Sequence, residues 1–310
     1  MESSNNEDAL TGQYHTPVML HEAVEAMAIR PDGVYVDCTF GGGGHSREIL
    51  KKLNEKGRLV VFDQDEDARK NVPDDKRIIF VSQNFRHLQK FLRLHKLQKV
   101  DGILADLGVS SHQFDEAERG FSIRFDADLD MRMDKRHTLT AADILNTYSE
   151  QQLHKLFEKY GEVTNSKTLA QTIVQQRAIA AFKSISAFKQ AVHGIVKGNP
   201  NKYFAQVFQA LRIAVNDEMG SLEEMLQQAE MVLNATGRLV VISFHSLEDR
   251  LVKNFFKYGT SQESEADDVY GTKKESPFKI ISKKPITAGV AEIKTNPRSR
   301  SAKLRIAEKK

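Results

Sequence analysis

Among its 310 residues the chain has a single cysteine, Cys38, which excludes a disulfide framework and any cysteine-built metal centre. No segment approaches the roughly 20 consecutive apolar residues of a membrane span. The first ten residues, MESSNNEDAL, are polar and acidic where a secretory leader would be apolar. These absences predict a protein of the reducing cytoplasm, neither secreted nor membrane-inserted, with no membrane partner. The bulk of the chain is also not that of a disordered protein. At 40% hydrophobic and 28% charged, it can build one large core and an accessory unit.

Charge is unevenly spread. Residues 271–310 carry 12 Lys and Arg against 3 Glu, a balance of +9, so the net charge of +3 leaves residues 1–270 at −6. A basic run can be a solvated surface, but joined to a cofactor-binding fold it favours a polyanionic substrate held in a salt-sensitive way.

What is present begins with VDCTFGGGGHS, residues 36–46. An apolar strand pattern runs into four glycines and then into the helical pattern SREILKKL, the entry loop of a nucleotide-type cofactor. Spacing separates two cofactor classes. With Gly41 and Gly43 as the first two glycines of a dinucleotide G-x-G-x-x-G fingerprint, the third position is Ser46. That opposes a nicotinamide-dependent reductase. S-adenosylmethionine has no pyrophosphate and needs no third packing glycine, so the loop suits it better. Asp63, ending the next strand pattern RLVVFD, stands where a carboxylate accepts ribose hydroxyls in either class.

Apolar and amphipathic runs then alternate as in a parallel α/β sheet. Strands are predicted at 34–40, 58–63, 77–81 and 100–107, the first three each followed by a helix, so that Asp63, Asn84–Phe85 and Asp106 meet beyond the strand ends. Residues 107–134 read as a functional loop, too irregular for core structure. Helical patterns without strands fill 140–200. A long helix follows, with Phe204, Val207, Phe208, Leu211 and Val215 on one face. The sheet resumes at GRLVVISF (237–244), then a helix capped by Ser246 and a closing hairpin of FKIISKKPI and KLRIAE. The expected organisation is a sheet domain in two parts, 1–138 and 218–310, around a helical insertion at 139–217.

Eight motifs in this order, HTPVML (15–20), VDCTFGGGGHS, DGILADLGVSSHQFD (101–115), ERGFS (118–122), LDMRMD (129–134), FQALRIAVNDE (208–218), ISFHSLEDR (242–250) and NPRSRSAKLR (296–305), resemble the bacterial RsmH family, formerly MraW, over nearly the whole chain. The resemblance implies a class I, Rossmann-like S-adenosylmethionine-dependent methyltransferase with an inserted all-helical domain. It further implies transfer to the exocyclic N4 of one cytidine in the decoding region of 16S ribosomal RNA, with an assembled or nearly assembled small subunit as partner. Carried over residue by residue, the cofactor contacts are Gly43, Gly44, His45, Asp63, Phe85, Asp106 and Gln113; no metal ligand is implied.

Each carried-over residue also has a plainer reading. His45 could cap its helix, and Phe85 could be a core residue. Asp106 could face a polar edge or the methionine ammonium, but ending a strand as apolar as GILA it needs some partner. Many amino-methyltransferases place an Asp-Pro-Pro-Tyr-like segment after the fourth strand; here the sequence is DLGVSS, without proline or aromatic. No catalytic residue follows from the motif, and Asp106 with the Leu107–Gly108 backbone are the candidates for holding the N4 hydrogens. Arg119, Phe121, Arg124, Arg132 and Arg136 are read either as a wall of the RNA pocket or as ion pairs with Asp126, Asp128, Asp130 and Asp134. Arg298, Arg300, Lys303 and Arg305 are candidate phosphate contacts. Where many relatives carry a HPATRT-like segment, this chain has NKYFAQV (201–207), with Lys202 as the nearby basic residue.

Overall fold

Apolar runs buried on both faces build the centre of the molecule. The structure, a computed structural model, describes residues 17–261 and 275–310. The acidic N-terminal stretch, His15 and Thr16 of HTPVML, and residues 262–274 of the polar stretch after the last long helix lie outside the described residues. In chain order come α1 (Leu20–Ala26), β1 (Val34–Asp37), α2 (Gly44–Lys52), β2 (Arg58–Phe62), β3 (Ile78–Val81), α3 (Leu88–Leu94), β4 (Val100–Asp106) and α4 (Ser111–Asp115). A helical stretch follows: α5 (Ala141–Thr147), α6 (Glu150–Gly161), α7 (Ser166–Arg177), α8 (Ile185–Val192) and α9 (Pro200–Asn216). The chain closes with α10 (Glu218–Val232), β5 (Leu233–Ser243), α11 (Ser246–Tyr258), β6 (Phe278–Ile280), α12 (Val290–Thr295) and β7 (Lys303–Lys309).

The strands form one 7-stranded sheet in the order β3-β2-β1-β4-β5-β7-β6. Strands β1 to β5 are parallel and β7 runs antiparallel to both β5 and β6. This is the class I methyltransferase arrangement that the sequence predicts. Both faces are covered, as a parallel sheet requires. In β5, Leu239 and Val241 pack with α3, α10 and α11, while Val240 and Ile242 face the side covered by α1 and α2. Each such fully buried side chain contributes about 1.5–3 kcal/mol. The strand order reverses between β1 and β4, and the crevice beyond their carboxyl ends is where ligands of such sheets bind.

Helices α5 to α9 share a separate core, in which Phe204, Val207, Phe208, Leu211 and Val215 of α9 are all buried as their spacing predicts. The 107–134 segment departs from the expectation of an irregular loop. It contains α4 and a 3-10 turn at Ala117–Arg119, and it sends Phe121, Leu129, Met131 and Met133 into the helical core. Gly120 makes its tight return possible: φ is +72°, and a Cβ there would lie 2.4 Å from the Asp128 carbonyl oxygen. We expect Gly120→Ala to destabilise the protein by about 2–4 kcal/mol in denaturant titration, since an unsuitable φ and a backbone clash combine; a loss below about 1 kcal/mol would show that the turn relaxes at no cost.

Three local expectations are corrected. No α-helix follows β2; a 3-10 turn, Glu66–Asn71, stands there, started by the Asp65 side chain accepting the Asp67 N–H and stopped two residues before Pro73. The C-terminal pair is not a plain hairpin, because α12 and a 3-10 turn at Pro297–Ser301 lie between β6 and β7. The cap of α11 is His245, one residue before Ser246, in a reciprocal pairing with Glu248.

Candidate active site

The glycine loop ends β1 and opens α2, and its shape is fixed by carboxylates. Gly41 (φ +51°) donates its N–H to Asp63 Oδ2 at 2.7 Å, tying the loop to the end of β2. Gly43 (φ +75°) is the N-cap of α2, and a Cβ on it would meet the Phe40 ring at 2.8 Å. On Gly44, the first residue of α2, a Cβ would fall 2.0 Å from Pro17 Cγ. Ser46, which breaks the dinucleotide spacing, is buried and donates to Asp37 Oδ2 at 2.6 Å, so a packed hydrogen bond replaces the third glycine.

A cavity of about 860 Å³ opens over this loop and the ends of β2 and β4. Six of the seven residues carried over from the resemblance line it, namely Gly44, His45, Asp63, Phe85, Asp106 and Gln113. Gly43 does not; its N–H closes the turn onto the Phe40 carbonyl at 2.7 Å, while Gly41 and Gly42 line the cavity.

Asp63 also accepts the Asp65 N–H at 2.8 Å, and burial outweighs both N–H donors, pushing its carboxyl up to about 7. The His45 ring does not cap its helix. Its Nε2 lies 3.1 Å from the Val18 carbonyl, which can only accept, so Nε2 carries the proton and the Nδ1 lone pair faces Asp106 Oδ2 at 3.8 Å. Burial lowers the His45 pKa, keeping the ring neutral. Asp106 is raised well above the usual carboxylate range by burial, then by the charges of Asp37, Glu248 and Glu292. Its Oδ1 is buried without a hydrogen-bond partner among the described residues. An unmet buried acceptor costs about 1–3 kcal/mol, so this oxygen fits a ligand bearing a donor or a positive charge, such as the ammonium of a methionine moiety. Phe85 is half-buried in the turn after β3, where its neighbour Asn84 donates to Gln64 Oε1 at 2.8 Å. Gln113 accepts the Ser110 N–H at 3.1 Å and donates to Asp65 Oδ2 at 2.8 Å, anchoring α4 to the end of β2.

The structure sorts the basic candidates. Arg132 forks onto Asp130, and Arg136 onto Asp134, which are the loop-internal pairs. Arg119 pairs with none of the four predicted aspartates. It is 5% exposed, donates to Asp65 Oδ2 at 2.7 Å, and holds the Arg132 and Met133 carbonyls at 3.0 and 3.1 Å. Arg124 and Arg298 both lie over the Phe114 ring at the cavity wall, and Arg298 also pairs with Asp115. Lys303 and Arg305 are spent on Asp249, whereas Arg300 is exposed. Lys202 is exposed in the first turn of α9, and Tyr203 and Phe204 beside it are buried in the helical core.

Sequence reasoning missed four residues on the far wall: Arg212 and Glu218, joined by bonds of 2.8 and 2.9 Å, and Phe244 and Glu248 from the end of β5 and the start of α11. Arg212 and Glu218 sit within the recognised FQALRIAVNDE motif and Phe244 and Glu248 within ISFHSLEDR, but no local pattern gives them a role. The folding of α9 and β5 onto one crevice brings them together.

The profile of the MraW methylase family matches residues 12–310. A protein of Bacteroides thetaiotaomicron named ribosomal RNA small subunit methyltransferase H is 55% identical over 304 residues, covering 98% of this chain and 99% of its own. A protein of the same name from Bacteroides fragilis is 54% identical over 298 residues, 96% of this chain and 98% of its own. Another from Flavobacterium johnsoniae is 51% identical over 300 residues, 96% and 99% respectively. With a profile match over nearly its whole length and relatives more than half identical, the chain belongs to the MraW methylase family.

Proposed function

We propose that this chain transfers a methyl group from S-adenosylmethionine to the exocyclic N4 of a cytidine in the decoding region of 16S ribosomal RNA, acting in the cytoplasm on an assembled or nearly assembled small subunit. The cofactor and the methyltransferase class follow from the family, and relatives named small-subunit ribosomal RNA methyltransferases supply the substrate. The observation that carries the reading is the unmet Asp106 oxygen at the switch point of the sheet, in one cavity with Asp63 and Phe85.

In this reading Gly43, Gly44 and His45 hold the loop close to the methionine portion, and Asp63 accepts the ribose hydroxyls. Phe85 packs on adenine, Asp106 meets the ammonium, and Gln113 fixes the loop over the site. The bound cofactor supplies a methyl group activated on a sulfonium. The protein's share is to align the amino nitrogen with it and to exclude water. Residues 139–217 would be the inserted helical unit between the two parts of the methyltransferase domain, 1–138 and 218–310. The shared core of α5 to α9 supports this division. The target base must be unpaired or flipped to reach the cavity.

The test is transfer of labelled methyl to small subunits lacking the modification, followed by nucleoside digestion and chromatography. Label is expected as N4-methylcytidine. Label in another nucleoside, or none, would overturn the assignment.

A further inference from the structure

We propose that the target cytosine is seated on the Phe244 ring with its polar edge toward the Arg212–Glu218 pair, and that Glu248 takes the proton released from N4. The proposal rests on the function proposed above and names the residues that carry its substrate end.

The position follows from the sheet. Strands β4 and β5 are neighbours, with Asp106 opposite Ile242 and the Leu107 N–H bonded to the Ile242 carbonyl at 2.9 Å. The residues after β5 therefore stand beside the turn after β4. Gly108 has φ +95°, and a Cβ on it would come 3.5 Å from Phe244 Cδ2. The aromatic ring that DLGVSS lacks is thus supplied by β5, against the backbone of that same turn. Phe244, Arg212, Glu218 and Glu248 all line the cavity that contains Asp106.

The polar groups match cytosine. Its edge presents N4–H donors beside the acceptors N3 and O2, whereas uracil presents an acceptor at position 4 and a donor at N3. Arg212 has only donors. Its Nε and Nη2 are engaged by Glu218, and Nη1 has no partner among the described residues. A carboxylate wall accepts from N4 and repels the O4 of uracil.

Glu248 is built as an ionised acceptor. It is 3% exposed, and its Oε2 accepts the Phe244 N–H at 2.9 Å. His245 Nδ1 accepts the Glu248 N–H at 3.4 Å, and its Nε2 stands 3.2 Å from Glu248 Oε1, buried and without a hydrogen bond among the described residues. Burial alone would raise this carboxyl, but His245, Arg212 and the Phe244 N–H hold it below its usual value. Glu218 is raised by burial in spite of Arg212. In the transfer, the N4 lone pair forms the N–C bond and the methyl–sulfur bond breaks with its pair left on sulfur. One N4 proton passes to a Glu248 oxygen. The N-methylated ammonium on the ring is strongly acidic, so a weak base suffices.

The experiment uses small subunits reconstituted with cytidine or uridine at the target position, with wild type, Phe244→Ala, Phe244→Leu and Glu248→Gln. Wild type should bind the cytidine subunits more tightly. Both Phe244 variants should lose about 10-fold or more of that affinity and most of the discrimination, the scale of one lost base stack, while cofactor affinity stays within about threefold. Glu248→Gln preserves the helix cap; it should bind both partners normally, and its single-turnover transfer at saturating S-adenosylmethionine should fall about 100-fold, the range of a lost general base. Unchanged discrimination in both Phe244 variants, or a Glu248→Gln rate within about threefold of wild type, overturns the seat. If wild type labels no N4-methylcytidine, the proposed function fails and the seat fails with it. If wild type does label it and the variants match wild type, only the seat fails.

Discussion

Asp63→Ala is expected to lower affinity for S-adenosylmethionine by about 100-fold or more, since two hydrogen bonds to a charged carboxylate are each worth about 1.5–3 kcal/mol. The sign of the accompanying pH dependence follows from burial. In the cofactor-free protein the carboxyl is pushed up to about 7, so below that value it is protonated, whereas hydroxyl donors need the ionised form. Binding therefore releases a proton, and affinity should fall about tenfold per pH unit below 7 and flatten above it. Asp106 adds a slope of its own, because it too is raised by burial. The quantity to read is the difference in slope between wild type and Asp63→Asn in calorimetric titrations from pH 5.5 to 8.5. Parallel slopes would remove Asp63 from the ribose site. Folding responds in the opposite direction: a raised folded-state pKa means that the native protein holds the proton which the unfolded chain has lost. Through this group, stability declines as pH rises from about 4 to 7. The ionised carboxylate therefore costs the fold something at neutral pH.

What could be read from the sequence was local. The β1 and β2 patterns, the glycine loop and the alternating elements were legible because each is a property of neighbours in the chain, and Ser46 could oppose a dinucleotide on spacing alone. The long helix at Pro200–Asn216 was legible from the period of its apolar face. The failures share a physical cause. VVFDQDEDARKNV looks able to continue as a helix, but Asp65 starts a tight turn and Pro73 ends it. Arg119, Arg132 and Arg136 look alike in a loop of aspartates. Two take partners two residues back, and the third crosses to the other side of the site. Phe244 lies at the end of an apolar strand, and only the parallel pairing of β4 and β5 brings it over Gly108. Long-range partners of this kind leave no periodic trace.

Arg119→Ala is expected to have the largest effect on stability, a loss of about 3–5 kcal/mol, the range for removing one partner of a buried ion pair. The substitution leaves Asp65, 6% exposed, with Gln113 as its remaining side-chain donor. It also frees two carbonyls, at Arg132 and Met133, that Arg119 holds. For a chain of 310 residues the loss corresponds to a fall of about 5–8 °C in Tm. Arg119→Lys should recover only part of it, because a single ammonium cannot reproduce a planar fork that meets one carboxylate and two carbonyls at once. A Tm within 2 °C of wild type, about the scale of an exposed pair, would mean that the pair is open to water and contributes as little as surface pairs do. The consequence extends to the cofactor. The N–H of Asp65 donates to Asp63 at 2.8 Å, and Gln113, which shares Asp65 with Arg119, anchors the loop beside the cavity. Loosening Asp65 therefore loosens both Asp63, the proposed ribose acceptor, and the loop beside it. Arg119→Ala should weaken S-adenosylmethionine binding even at temperatures where the variant is fully folded, and Arg132→Ala, whose partner Asp130 is a loop neighbour, should not.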